Sequence, residues 1–132
     1  MQDSIFTKII KGEIPCHKIY EDDKTLAFLD IHPVASGHTL VIPKNQVEFV
    51  WDLEAEDYQA VMATVQKVGR RLREVIATPY VGVSVVGTDV PHAHVHVVPF
   101  NRPAELKRTF EAVADTQPDH EALAAVAAKL AF

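Results

Sequence analysis

The stretch Val90-Pro91-His92-Ala93-His94-Val95-His96-Val97-Val98-Pro99 alternates imidazoles with small or branched apolar side chains. Successive side chains on a strand point to opposite faces. The spacing therefore predicts a strand from Val90 to Pro99, with His92, His94 and His96 on one face and Ala93, Val95 and Val97 on the other. The second face suits a core. A row of three titratable rings does not, because each buried ring needs partners for its nitrogens, so the row points to function. Upstream, Tyr80 to Val86 is rich in β-branched residues and reads as a strand, with Gly87-Thr88-Asp89 as a turn. His17 to Glu21, Thr25 to Asp30 and His38 to Ile42 read as three more strands. The first two are joined by the polar turn Asp22-Asp23-Lys24. Tyr58, Val61, Met62, Val65, Val68, Leu72, Val75 and Ile76 recur at three and four, which predicts a long helix from about Glu54 to Ile76 capped by Asp52. A short helix carries Ile5, Phe6, Ile9 and Ile10, capped by Ser4 or Asp3 and ended by Gly12. A closing helix spans Asp119 to Ala131, with Leu123, Val126, Ala127 and Leu130 on one side. These elements predict an α+β fold: an antiparallel five-stranded sheet, one long and one short N-terminal helix, and an extra C-terminal helix.

The chain has 132 residues, 48% of them hydrophobic and 23% charged, which suits one folded domain. Its net charge of −5 argues against broad coating of nucleic acid, which needs a basic face. Lys67, Arg70, Arg71 and Arg73 read as a solvated face matched to the negative end of the long helix. The single cysteine, Cys16, excludes an intramolecular disulfide framework and fits a reducing compartment. No apolar run approaches the ~20 residues that span a bilayer. Met1-Gln2-Asp3-Ser4 lacks the start of a signal peptide. The expectation is a cytoplasmic protein with no membrane or nucleic-acid partner.

Two chemistries can use the histidine row. Neighbouring His-x-His positions can share a metal ion, but His92 and His96 would lie about 13 Å apart on an extended strand. No Cys-x-x-Cys or His-Glu-x-x-His pattern supplies further ligands. The other chemistry is phosphoryl transfer, in which one neutral imidazole attacks phosphorus while its neighbours stabilise phosphate charge. His17, His32 and His120 read as surface or loop histidines, Trp51 as packing or interface, and Cys16 as an inert thiol.

His92-Ala93-His94-Val95-His96-Val97-Val98 resembles the motif of the histidine triad (HIT) nucleotide-binding family, His-φ-His-φ-His-φ-φ, in its Hint-like branch. Ser4 to Pro15, Ala27 to Pro33 and Gly37 to Lys44 resemble its other motif blocks, in order and with similar spacing. The resemblance covers Ser4 to Pro99. It implies a HIT domain over 1–100, with 101–132 as a C-terminal extension packed on the same domain, and a homodimer whose sheets join. It further implies hydrolysis or transfer at the α-phosphate of purine nucleoside phosphoramidates or related conjugates, with no cofactor. On that resemblance His94 is the nucleophile, His96 binds phosphate and manages protons, the His92 carbonyl orients His94, and His38 joins the network. Asp30 accepts the ribose hydroxyls, Ile5, Phe6, Ile9, Phe28, Ile31 and Leu40 wall the base pocket, and Val90 offers its N–H to phosphate. For the dimer, Tyr58, Met62 and Val65 are expected to face a partner and Val81 to Val86 to offer a sheet edge. A nucleotide-binding regulatory module with little turnover, a dinucleoside polyphosphate hydrolase and a metal-binding protein are the alternatives.

Two departures stand out. Many bacterial members carry Cys, Cys and His at the positions of Ser4, Thr7 and Gln46 and bind structural zinc with the first triad histidine. Hydroxyls and an amide replace them, so no zinc is expected. Asp89 stands where a donor to phosphate is frequent. An ionised Asp89 facing the site would repel phosphate, and one turned outward would cap the turn after Gly87.

Overall fold

The computed structural model describes residues 2–111 and 116–132. Ser4 accepts from the Thr7 amide at 3.0 Å and caps α1 (Ile5–Ile10). Gly12 follows at φ 80°, the left-handed region that lets the chain turn away. In the next turn the Asp22 carboxylate accepts from the amides of Lys24 and Thr25 and from the Thr25 hydroxyl. That cage reverses the chain between β1 (Lys18–Glu21) and β2 (Thr25–Leu29). β3 (Thr39–Pro43), α2 (Ala55–Val75), β4 (Tyr80–Ser84) and β5 (Val95–Phe100) follow. α3 (Pro103–Lys107) and α4 (His120–Leu130) end the chain. The sheet order is β1-β2-β3-β5-β4, antiparallel throughout.

Alternation along β2, β3 and β5 splits the core in two. Ala27, Leu29, Val41, Val95 and Val97 face Val61, Val65, Val68 and Leu72 of α2 and Leu123, Ala127 and Leu130 of α4. Leu26, Phe28, Leu40 and Ile42 face the other way and pack beneath Phe6 of α1. The register aligns Phe28 with Leu40 and Leu40 with His96. One cross-strand row therefore carries the apolar face of α1 directly to the strand that holds His96. Gly37, at φ 95°, lets its loop sit on Leu72, where a Cβ would approach that side chain to 3.1 Å.

Four expectations are corrected. The last strand begins at Val95, not Val90. Pro91 has no N–H to give a ladder, the His92 amide donates to Val90 O at 2.8 Å, and the Ala93 amide donates to Val47 O at 2.7 Å. Residues 90–94 therefore form a bend whose bonds go outside the sheet. His92, His94 and His96 do not share one extended strand, and β4 correspondingly stops at Ser84, not Val86. Glu54, without a side-chain bond, holds the cap position of α2, while Asp52 lies in a 3-10 turn over Val50–Asp52. Val65 is buried against the sheet, so of the three α2 residues expected to face a partner only Tyr58 and Met62 are exposed. α3 and the 3-10 turn Arg108–Phe110 had no expectation attached. Among the described residues no helix is long and apolar enough to cross a membrane.

Candidate active site

The bend before β5 gives the three histidines different surroundings. The His92 ring is fully buried and faces away from the cleft. Its Nε2 lies 2.8 Å from Pro43 O, which can only accept, so Nε2 carries the proton. Its Nδ1 then accepts from Ser4 Oγ at 2.8 Å. Thr7 Oγ1 donates to Gln46 Oε1 at 2.6 Å, and the same oxygen accepts from the Ser4 amide at 2.8 Å. Burial lowers the His92 pKa, partly opposed by the Pro43 carbonyl.

His94 is oriented from behind. Its Nδ1 lies 2.7 Å from His92 O, so the proton sits on Nδ1 and the Nε2 lone pair is left for the cleft. Phe6 meets the ring edge-on at 5.2 Å, and His96 meets it at 5.3 Å.

His96 is set by a relay. The Val34 amide donates to His38 Nδ1 at 3.2 Å, so His38 carries its proton on Nε2. That Nε2–H donates to His96 Nδ1 at 2.9 Å. The remaining proton of His96 must be on Nε2, a buried atom with no hydrogen-bond partner among the described residues. Burial holds His38 down to about 4. Burial, then His38 and His94, hold His96 down to about 4 against the opposing charges of Asp30 and Asp89. Both rings are neutral at pH 7. The site thus presents a lone pair on His94 and an N–H on His96, side by side and pre-set.

A cleft of about 440 Å³ opens over these two rings. It brings together Ile5, Phe6, Ile9, Phe28, Asp30, Ile31, Leu40, Asp89, Val90, His94 and His96. Every wall and binding position expected from the sequence lines it, whereas His92 and His38 stand behind it as supports. Asp30 Oδ1 accepts from the His32 amide at 2.8 Å, and burial raises its carboxyl pKa against that amide and the nearby imidazoles. Asp89 lies on the boundary between this cleft and a second one of about 330 Å³, which shares Asp30 and His96 and adds Arg108, Glu111 and Asp119. Ile14, Pro15, Cys16 and His120 also line the first cleft and were missed. His120 had no local signal: only the docking of α4 brings it there.

Two places among the described residues gather groups that could face a metal ion. Asp30, His38 and His96 put three ligand atoms within 4.8 Å of one another. A ligating histidine donates its other N–H to an acceptor, but His38 Nδ1 faces the Val34 N–H, so its Nε2 lone pair is not available. The other place is the His92 network. His92 has the orientation of a ligand, its Nε2 held by a carbonyl. Its neighbours Ser4, Thr7 and Gln46 offer neutral oxygen donors already bonded to one another, which do not fit zinc.

The HIT domain family model matches residues 11–102. An uncharacterised HIT-like protein of Borreliella burgdorferi is 40% identical over 106 residues, 75% of this chain and 76% of that one. Adenosine 5′-monophosphoramidase hnt1 of Schizosaccharomyces pombe is 38% identical, covering 72% of each chain. The crystal structure of a Hit-like protein involved in cell-cycle regulation from Bartonella henselae superposes with a TM-score of 0.79 at 32% identity, over 97% of this chain and 94% of that one. A zinc-bound histidine triad family protein from Mycobacterium smegmatis gives 0.72 at 30% identity, over 96% and 94%. Sequence, fold and the paired histidine supports agree, and the chain belongs to the HIT family.

Proposed function

We propose that the protein is a nucleotidyl hydrolase or transferase that acts at the α-phosphate of purine nucleoside phosphoramidates or related conjugates. The observation that carries this reading is the opposite setting of two adjacent rings: His94 with a free Nε2 lone pair, His96 with a free Nε2–H. That pair suits attack on phosphorus beside a developing negative charge. His94 Nε2 forms the N–P bond as the bond to the leaving amine breaks. The amine takes its proton from solvent, while the Nε2–H of the neutral His96 ring donates to a phosphate oxygen. Water then attacks the nucleotidyl-histidine, breaks the N–P bond, loses a proton to solvent and releases the nucleotide. The His94 Nδ1–H stays on His92 O and bears the imidazolium charge of the intermediate.

The apolar walls receive the base, Asp30 the ribose hydroxyls and the Val90 amide a phosphate oxygen. The second cleft, beyond His96, receives the leaving group. It holds the carboxylates of Asp30, Asp89, Glu111 and Asp119 against Arg108, which favours neutral or cationic leaving groups over polyphosphates. The relative from Schizosaccharomyces pombe, named as a phosphoramidase, supports the substrate class. The reading includes a homodimer. β4 ends the sheet, and Trp51, Tyr58, Met62, Tyr80, Val83 and Val85 are exposed beside it. The experiment is turnover of adenylyl and guanylyl amidates by the wild type beside His94→Asn. Wild-type turnover abolished in the variant, with nucleotide binding retained, supports the reading. Binding without turnover in either protein returns the regulatory module.

A further inference from the structure

The base end of the cleft is a sleeve of apolar side chains, yet a purine carries polar atoms around its edge. Buried without partners, those atoms cost binding free energy. Away from Asp30, Asp89, His94 and His96, one described lining residue offers a ring nitrogen: His120.

Its position is built. Asp119 caps α4 by accepting from the Ala122 amide at 3.1 Å. Leu123, Ala127 and Leu130 bury in the main core. Arg71 Nε donates to Leu130 O at 2.9 Å and ties down the far end of the helix. The first residue of α4 is thereby delivered beside Pro15 and Cys16. His17 holds it: His17 Nε2 and His120 Nδ1 lie 2.9 Å apart, with ring centroids at 5.2 Å.

In a neutral pair, one of the two facing nitrogens carries the shared proton. When His120 Nδ1 accepts, its Nε2 is a donor; when Nδ1 donates, Nε2 is an acceptor. The pair can therefore meet the guanine carbonyl as a donor or the adenine amino group as an acceptor. We infer that His120, held by His17, is the base-reading residue of the nucleotide site, contacting the exocyclic group of either purine from the C-terminal extension. This rests on the nucleotide reading proposed above.

The test measures dissociation constants by calorimetry for AMP, GMP and purine riboside 5′-monophosphate, which lacks the exocyclic group. One neutral hydrogen bond is worth about three- to tenfold in affinity. Wild type should bind AMP and GMP more tightly than the purine riboside nucleotide by that factor. In His120→Phe, which keeps a ring and removes its nitrogens, the gap should close to within about twofold. Circular dichroism verifies the fold of the variant, whose changed residue is exposed at a helix start. A gap absent in wild type, or intact in His120→Phe, overturns the inference. Failure to bind any of the three nucleotides overturns the nucleotide reading instead.

Discussion

His38→Leu tests whether the relay sets the proton on His96. The change removes the acceptor of the Val34 amide and the donor to His96 Nδ1 while keeping an apolar side chain of similar size. The orphaned His96 Nδ1 is buried and costs about 1–3 kcal/mol, and the part-buried Val34 amide costs about 1 kcal/mol. Together they should lower stability by about 2–4 kcal/mol, seen as a shift of the urea midpoint. The functional effect is separate. His96 loses the partner that keeps its proton on Nε2, so the N–H facing the phosphate is no longer fixed. Removing one such donor costs about 10²–10³ in kcat, and partial retention of the tautomer should reduce this to about 10–100-fold. KM should move little, because the base and ribose walls are untouched. His38→Gln, whose amide can donate to His96 Nδ1, should recover much of kcat. Nitrogen chemical shifts of the His96 ring read the tautomer directly: Nε2–H in wild type and Gln, mixed in Leu. A kcat within twofold of wild type in His38→Leu, with the expected stability loss, would refute the relay.

Acid should destabilise the fold through the same two rings. Their folded pKa values of about 4 lie below the usual histidine value, so the unfolded chain binds more protons as pH falls from about 6.5 to 4. Stability is full above that window and drops by up to about 3 kcal/mol per ring across it; a denaturation series flat from pH 7 to 4 contradicts the burial argument. Asp89→Ser should raise kcat/KM for a dinucleoside polyphosphate relative to a phosphoramidate, since Asp89 borders both clefts. Unit charges ~4 Å apart interact by up to about 4 kcal/mol before solvent screening, and equal changes for both substrates would reduce Asp89 to a turn residue. Elemental analysis of untagged protein should find no stoichiometric zinc, whereas the Ser4→Cys, Thr7→Cys, Gln46→His triple variant should bind one ion, because His92 is already oriented by Pro43 O. Zinc in the wild type that leaves only on unfolding is the opposing result.

Much of the architecture was legible because alternation and helical spacing report burial directly. Ala27 and Leu29 against Leu26 and Phe28, or Val61, Val65, Val68 and Leu72 along α2, name their faces without tertiary knowledge. The histidine strand was over-extended for a local reason: side-chain alternation continues through His92, but Pro91 and the outward bonds of His92 and Ala93 end the ladder first. Alternation alone cannot see where backbone amides go. The His92 supports were partly legible, since the resemblance grouped Ser4, Thr7, Gln46 and His92. The relay through Val34 was not, because an amide four residues before His38 carries no side-chain signature. His120 was invisible for a longer-range reason. The pattern of α4 shows Leu123, Ala127 and Leu130 burying, but where the helix start lands is decided by packing against α2 and the sheet.

The most direct measurement is of the covalent intermediate. Wild-type protein mixed with an adenosine phosphoramidate, quenched in alkali within one turnover and digested, should yield the peptide containing His94 carrying one adenylyl group, localised to that ring by fragmentation. His94→Asn should yield none while still binding nucleotide. Adenylyl found on another residue, or turnover with no adenylated peptide at any time point, would contradict the assignment of the His94 Nε2 lone pair as the nucleophile.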